Sequence, residues 1–356
     1  MNPTLNVNLI KLKANAETLV KKLSENNITT AFVTKVFCAD KKMADVLNKT
    51  DCAFLADSRI ENLIKYGETK KQKMLLRLPS VSEAERVVKY ADISCNSSSE
   101  TVLALNKAAA EQNKIHKVLL MIDLGDLREG IFYKNTALID GFVETVNDCR
   151  NIQLAGIGTN ITCYGGVLPT EENMDVLLDT AKHIEEKYKL KLDIISGGNS
   201  SSILFLDSGK MPSGINNLRL GESLVLGVET AKGSRISDTY DDAVTLTAEI
   251  IELYVKPSYP IGEQTVNAFG EVGEYVDIGD RIRGILAVGR QDVDFEGLIP
   301  IDKNLTIIGA SSDHLIVDFT DAKNAYKIGG TVTFKLKYGA ALRAFTSPYV
   351  DKKYIE

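Results

Sequence analysis

Over roughly its first 225 residues the chain alternates short apolar, β-prone runs with longer amphipathic stretches, and this limits the fold more than any other feature. Strands are predicted at Thr30–Thr34, Cys52–Ala56, Lys73–Leu78, Asp92–Cys95, Lys117–Asp123, Gln153–Thr159, Lys191–Ser196 and Asn217–Leu220. Helical spacing between them predicts Leu9–Ser24, Ser82–Tyr90, Ser97–Gln112, Thr136–Asp148 and Thr170–Tyr188. About eight strands with intervening helices over this length is the pattern of a parallel (β/α)8 barrel, typically ~250 residues long. After Gly233 the texture changes. Residues Thr245 to Leu253 alternate at period two, and the apolar runs Ile282–Val288, Leu305–Ile308, His314–Phe319 and Thr331–Lys337 are separated by turn residues such as Gly279-Asp280 and Gly329-Gly330. The expectation is an α/β chain: a TIM-type barrel over residues 9–232, then a mainly antiparallel β C-terminal domain over 233–356 that also takes in the N-terminal segment 1–8.

At 356 residues, with 44% hydrophobic and 25% charged side chains, the chain is an ordinary globular protein of two domains. A net charge of −6 argues against nucleic acid as a partner. No apolar run approaches the ~20 residues of a membrane span, and the N-terminus lacks the apolar core of a signal peptide, so a cytoplasmic location is expected. Cys38, Cys52, Cys95, Cys149 and Cys163 are scattered, odd in number and never in a CxxC pair. They read as reduced, mostly buried thiols, and no metal site is expected.

On a barrel, the unusual residues fall at C-terminal strand ends, the face on which such folds build their sites. Lys35 closes the first strand. A lysine there either snorkels to solvent or stands partly desolvated as a nucleophile with a lowered pKa. Arg128 follows the strand ending at Asp123, Asn160 follows Gly158-Thr159, and Arg219 lies in the eighth strand. The loop Gly197-Gly198-Asn199-Ser200-Ser201-Ser202 is either a plain turn or a phosphate cradle, since small residues let backbone N–H groups approach and hydroxyls add donors. A lysine, a phosphate loop and arginines on one rim point to pyridoxal 5′-phosphate, whose enzymes need a lysine Schiff base and a phosphate anchor.

In this layout the chain resembles the alanine racemases of pyridoxal-phosphate fold type III, and more closely their ornithine and lysine racemase branch. The likeness runs from Leu5-Asn6-Val7-Asn8-Leu9 to Ser347-Pro348-Tyr349-Val350. It is carried by Val33-Thr34-Lys35-Val36, by Asp123 through Gly130, by Gly158 through Gly166, by Asn217 through Glu222 and by Gly309 through His314. The resemblance implies that Lys35 carries the cofactor, that Arg128 meets its phenolic oxygen, that Arg219 faces the pyridine nitrogen, and that Asn160 lies against the ring. It further implies phosphate binding by Ser200, by the backbone N–H groups of Gly221 and Glu222, and by Tyr349. A guanidinium opposite the pyridine nitrogen disfavours a proton there, which restrains the carbanion and suits racemization.

The chain also departs from alanine-type members. Ala39 replaces a tyrosine four positions after Lys35, Met121 replaces a lysine seven positions before Arg128, and Asn160 replaces a histidine. Phe269 falls where the family places its second base, a tyrosine from the partner subunit. Racemization ordinarily needs a base on each face of a planar intermediate. Asp313 and His314 are the remaining candidates, their alternative being a turn aspartate and a histidine facing the β domain. Asp126, Asp292, Asp294 and Asp313 are candidate partners for the distal ammonium of a diamine substrate, or else turn and surface residues. The resemblance thus implies a homodimeric racemase with shared sites, acting on an amino acid, most closely ornithine or lysine. The alternatives are a pyridoxal-phosphate lyase, aldolase or decarboxylase on the same fold, and a non-catalytic pyridoxal-phosphate homeostasis protein built from the barrel alone.

Overall fold

The apolar runs become strands because β-branched and aromatic residues fit a pleated, buried surface, and the 3.6-period stretches become the helices that cover it. In the computed structural model, which describes residues 2–356, the chain opens with β1 (Thr4–Asn8) and continues through β2 (Thr29–Val33), β3 (Phe54–Asp57), β4 (Gln72–Leu75), β5 (Ile93–Asn96), β6 (His116–Asp123), β7 (Ile131–Phe132), β8 (Ile152–Gly158), β9 (Ile194–Ser196) and β10 (Asn217–Leu220). Then come β11 (Val244–Pro257), β12 (Asp280–Leu286), β13 (Leu298–Pro300), β14 (Thr306–Ala310), β15 (Leu315–Asp318), β16 (Thr331–Leu336) and β17 (Asp351–Ile355). One compact unit is Leu9–Asp241, and the other joins the N-terminal eight residues to Asp242–Glu356.

In the first unit β2, β3, β4, β5, β6, β8, β9 and β10 pair in that order and β10 pairs again with β2, all in parallel. The sheet is therefore a closed barrel of eight strands, as expected, with the short β7 hydrogen-bonded to β6 outside the ring. Inside lies a buried apolar cluster that includes Ala31, Val33, Ala56, Met74, Ile93, Leu119 and Met121. Strand register decides which side chains join it. Arg219 of β10 is paired with Ala31 of β2, and laterally paired residues share a face, so Arg219 points inward with the cluster. β8 approaches β9 so closely that a Cβ on Gly156 would lie 1.8 Å from the Ile194 carbonyl oxygen, which only glycine permits.

The second unit is an eight-stranded sheet in which β13, β16, β11, β12, β15 and β14 follow one another antiparallel, and β1 pairs antiparallel with β11 and parallel with β17. Along β11 the residues Val244, Leu246, Ala248 and Ile250 are buried while their neighbours are not, the half-buried alternation read from the sequence. Several short elements lie outside the stretches read from the sequence. These are the helices Lys41–Asn48, Ile60–Lys65, Ser202–Asp207 and Glu222–Leu226 in the barrel unit, and Tyr338–Thr346 in the other. Among the described residues no helix is long and apolar enough to cross a membrane, no cysteine is paired and no metal-ligating cluster occurs.

One polar cluster sits low in the barrel wall. His116, only 2% exposed at the start of β6, shares a hydrogen bond of 2.8 Å between its Nε2 and the Ser94 hydroxyl, which accepts from the Asn96 amide at 2.9 Å. The hydroxyl can donate to Nε2 while it accepts from Asn96, an arrangement that suits a neutral imidazole. Burial, with Lys114 adding to it, pushes the His116 pKa down to about 4. A folded pKa below the unfolded value near 6.5 means that this stability is complete above pH 6.5 and is lost as the pH falls toward 4. The expected loss is about 3 kcal/mol below both values. Urea unfolding of the wild type and His116→Gln at about pH 7 and about pH 4.5 should show the larger drop in the wild type. Equal drops would mean that another group titrates.

Candidate active site

The turn that carries Lys35 is fixed from beneath. β2 ends at Val33, and the buried Thr34 donates its N–H to the Ala56 carbonyl at 2.9 Å and its hydroxyl to Asp57 Oδ2 at 2.7 Å, with Tyr66 hydroxyl also on Thr34. Asp57, fully buried, also accepts from the Arg59 N–H and the Asn62 amide at 2.9 and 3.0 Å. Burial raises the Asp57 pKa against these donors. Lys35 then opens a single 3-10 turn whose Val36 and Phe37 are buried, and Cys38 and Ala39 continue in the left-handed region. Of the two readings open for Lys35, the structure gives the exposed one, because the strand stops short and the turn lifts its first residue to the lip of the barrel. It lies within electrostatic reach of the Cys163 thiol and the Glu222 carboxyl, whose pKa values burial raises, with Lys35 partly opposing.

Arg219 is 4% exposed, enclosed within the barrel rather than open at its surface. Nη1 donates to the Ser196 hydroxyl and Nη2 to the Thr159 carbonyl. Ser196 in turn donates to Asn217 Oδ1 at 2.6 Å, and the Asn217 amide donates to the Thr29 hydroxyl at 3.1 Å, so the orientation of the guanidinium is set by a train of bonds across β9, β10 and β2. Burial pushes the Arg219 pKa down, with Cys95 and Glu129 opposing, yet a guanidinium keeps its proton in such surroundings.

The loop after β9 has the form of a cradle. Gly198 has φ +110°, and a Cβ there would meet Ser202 Oγ at 2.7 Å. Ser200 is buried, its hydroxyl 3.0 Å from that of Ser223 and accepting the Ser223 N–H at 3.2 Å, which ties the loop to the helix Glu222–Leu226 behind Gly221. Two hydroxyls at these strand ends, Thr159 Oγ1 and Ser201 Oγ, are buried and have no partner among the described residues. Buried hydroxyls without partners are costly, and a ligand oxygen would satisfy both. Nearby, burial and the Glu229 carboxylate push the Glu222 carboxyl up to about 7 against the pull of Lys35. A lysine amine, hydroxyl and backbone donors, and a buried guanidinium make a donor set that fits an aldehyde-bearing phosphate ester.

Arg128, Asn160 and the cradle belong to one network. Glu129, which no sequence pattern singles out, takes Nε and Nη2 of Arg128 on its two oxygens and accepts the Asn160 amide at 3.1 Å. Asn160 Oδ1 accepts from the Asn199 amide at 2.8 Å, and Asn199 Oδ1 accepts the Ser201 N–H at 2.8 Å. The barrel thus brings Lys35, Arg128, Asn160, Ser200, Arg219, Gly221 and Glu222 to its C-terminal strand ends. Asp313, His314, Tyr349 and Phe269 belong to the other unit. There Asp313 and His314 stand in the turn between β14 and β15, with Nδ1 3.3 Å from Oδ1, and Tyr349 is exposed. Phe269 stacks on Arg290, whose guanidinium is 4.2 Å from the ring and pairs with Glu271 through two bonds of 2.8 Å. Its ring has no proton to give.

The candidate substrate aspartates separate clearly. Asp126 is fully buried and accepts the N–H groups of Thr162, Cys163, Tyr164 and Val167 at 2.9–3.2 Å, so its carboxylate is spent on shaping this loop and offers no face to an ammonium. Asp292 is buried and accepts the Ser347 hydroxyl at 2.7 Å. Asp294 is half-buried, and Asp313 alone of the four is exposed. Replacing Asp126 by Ala leaves four N–H groups without acceptors and should cost about 3 kcal/mol or more, with Asp126→Asn intermediate. Hydrogen exchange should speed up first at residues 162–167. A variant with wild-type stability and loop protection would contradict this reading.

Residues 7–228 match the family described as alanine racemase, N-terminal domain. Over 354 residues the chain is 48% identical to an ornithine racemase from Acetoanaerobium sticklandii, covering 99% of each protein. It is 37% identical to a lysine racemase from Thermotoga maritima over 99% of this chain and 98% of that one. The crystal structure of alanine racemase from Bartonella henselae with covalently bound pyridoxal phosphate superposes with a TM-score of 0.74 over 100% of both chains at 17% identity, a likeness of fold. A barrel closed by eight parallel strands, a separate antiparallel unit and matches along the full length establish that the chain belongs to the alanine racemase family.

Proposed function

We propose that this protein is a pyridoxal-phosphate-dependent racemase that interconverts the L and D forms of ornithine or lysine, working in the cytoplasm as a homodimer with shared sites. The observation that carries the reading is the full-length 48% identity to an ornithine racemase, joined to a rim on which Lys35, Arg219 and two partnerless hydroxyls stand at neighbouring strand ends. The match over 99% of both chains, β domain included, weighs against a barrel-only binding protein and against a lyase, aldolase or decarboxylase.

Pyridoxal phosphate, when bound, draws electrons from the substrate Cα and so acidifies its proton. The rest is the work of the protein. Lys35 Nζ would hold the cofactor, and its amine would move the Cα proton on one face. Ser200, the orphan hydroxyls of Thr159 and Ser201, the N–H groups of Gly221 and Glu222, and Tyr349 would hold the phosphate. Arg219 would face the pyridine nitrogen, where a guanidinium cannot accept a proton and its fixed charge would disfavour one on the ring, so that return of the proton to Cα is favoured. Arg128 would donate to the phenolic oxygen, and Asn160 would lie against the ring. The opposite face needs its own base, and since Phe269 has none, the assignment falls to Asp313 or His314. Active enzyme sedimenting as a monomer would contradict the shared-site dimer.

Asp313 is also the one candidate aspartate exposed enough to hold the distal ammonium. A charge-assisted hydrogen bond of roughly 1.5 to 3 kcal/mol should favour ornithine over alanine by about ten- to a hundred-fold. Chiral chromatography of an amino-acid panel incubated with the enzyme reads this directly. If Asp313 binds the ammonium, Asp313→Asn lowers ornithine turnover and spares alanine; if it carries the proton, both fall together. Alanine turned over as fast as ornithine would remove the diamine assignment.

A further inference from the structure

The segment between β6 and β7 is folded tightly back on itself. Asp123 Oδ1 accepts the N–H groups of Gly125 and Leu127 at 2.8 and 3.1 Å, Leu127 adopts the left-handed region, and a Cβ on Gly130 would lie 2.6 Å from the Asp123 nitrogen. This turn sets two consecutive residues, Arg128 and Glu129, side by side. The Glu129 carboxylate takes Nε and Nη2 of Arg128, which leaves Nη1 as the end of the fork that no described residue engages. Its Oε1 is shared with the Asn160 amide, and from Asn160 the bonds run on through Asn199 to the Ser201 N–H of the cradle. A lone surface pair contributes little. This pair is different, since the Glu129 side chain is only 20% exposed and one oxygen serves two site residues from separate strand ends.

We infer that Glu129 is a positioning residue for the racemization: it aims the free end of Arg128 at the cofactor's phenolic oxygen, fixes the amide plane of Asn160, and balances the charge of Arg128 within the site. The inference rests on the proposal that the site holds pyridoxal phosphate. With Glu129 in place the arginine acts as an oriented donor rather than an uncompensated cation, because the pair is neutral as a whole. Burial works against the Arg128 charge, and Glu129, with Cys163 and Asp126 behind it, more than offsets it. Without the carboxylate, the net positive charge nearby disfavours any further bound proton, including that on the nitrogen joining Lys35 to the cofactor.

The test is a pH titration of the visible absorbance of the holoenzyme, which reads that proton without turnover. In Glu129→Gln the midpoint should fall by roughly one pH unit or more, the size expected of a lost charge several ångströms away at moderate effective dielectric, and kcat should fall about tenfold or more. Glu129→Asp keeps the charge but shortens the reach. It should hold the wild-type midpoint and still lose kcat. A wild-type midpoint in Glu129→Gln would overturn the charge role, and a wild-type kcat in Glu129→Asp would overturn the positioning role even if the glutamine variant failed to fold. Absence of the visible band from wild type incubated with pyridoxal phosphate would instead refute the cofactor reading, and this inference with it.

Discussion

A guanidinium enclosed in the barrel with only neutral oxygens for partners is the constraint around which the rim is organised. Burying a charge is costly unless it is well hydrogen-bonded, and Arg219 meets that demand with the Ser196 hydroxyl and the Thr159 carbonyl rather than with a carboxylate. The solution fixes other residues in turn. Ser196 must donate onward to Asn217, Asn217 reaches Thr29, and the three strands that carry them are β9, β10 and β2, the last of which leads directly to Lys35. The positive charge is thereby held at one point on the rim and left unneutralised by any salt bridge.

The carboxylates nearby serve the scaffold instead. Asp57 at the end of β3 pins the Lys35 turn, Asp123 at the end of β6 folds the Arg128 loop, and Asp126 gathers four N–H groups of the loop beyond β8. Each accepts from backbone or side-chain donors and none of the three forms a salt bridge with Arg219, while Arg128 is paired with Glu129. Arg219 therefore keeps its charge beside the cradle without a salt bridge, as a fixed donor to whatever the barrel mouth binds.

Much of this was legible in the chain itself. Alternating apolar and amphipathic stretches carried the closed barrel, and period-two spacing carried the antiparallel unit, because long elements repeat their pattern often enough to be read. The helices Lys41–Asn48 and Tyr338–Thr346 are amphipathic but only 8 and 9 residues long, too few repeats to stand out from the runs around them. Lys35 and Arg219 stood out as charges at strand ends. Their exposures did not: Lys35 is open and Arg219 enclosed, which depends on where β2 stops and on the register of β10 against it. The donors that occupy Asp126 lie 36 to 41 residues along the chain, so nothing local marks it as a loop anchor rather than a substrate ligand. Glu129 sat within a recognised motif, yet adjacent opposite charges are commonplace on surfaces, and only the shared bond to Asn160 distinguishes this pair.

The central claim is that the barrel mouth holds pyridoxal phosphate on Lys35. Borohydride reduction of the protein incubated with the cofactor, followed by peptide mapping, tests it most directly, since reduction makes the link permanent at whichever lysine bears it. The account predicts one pyridoxyl group, on Lys35, and none in Lys35→Ala. A label on any other lysine, or no label at all, would contradict it.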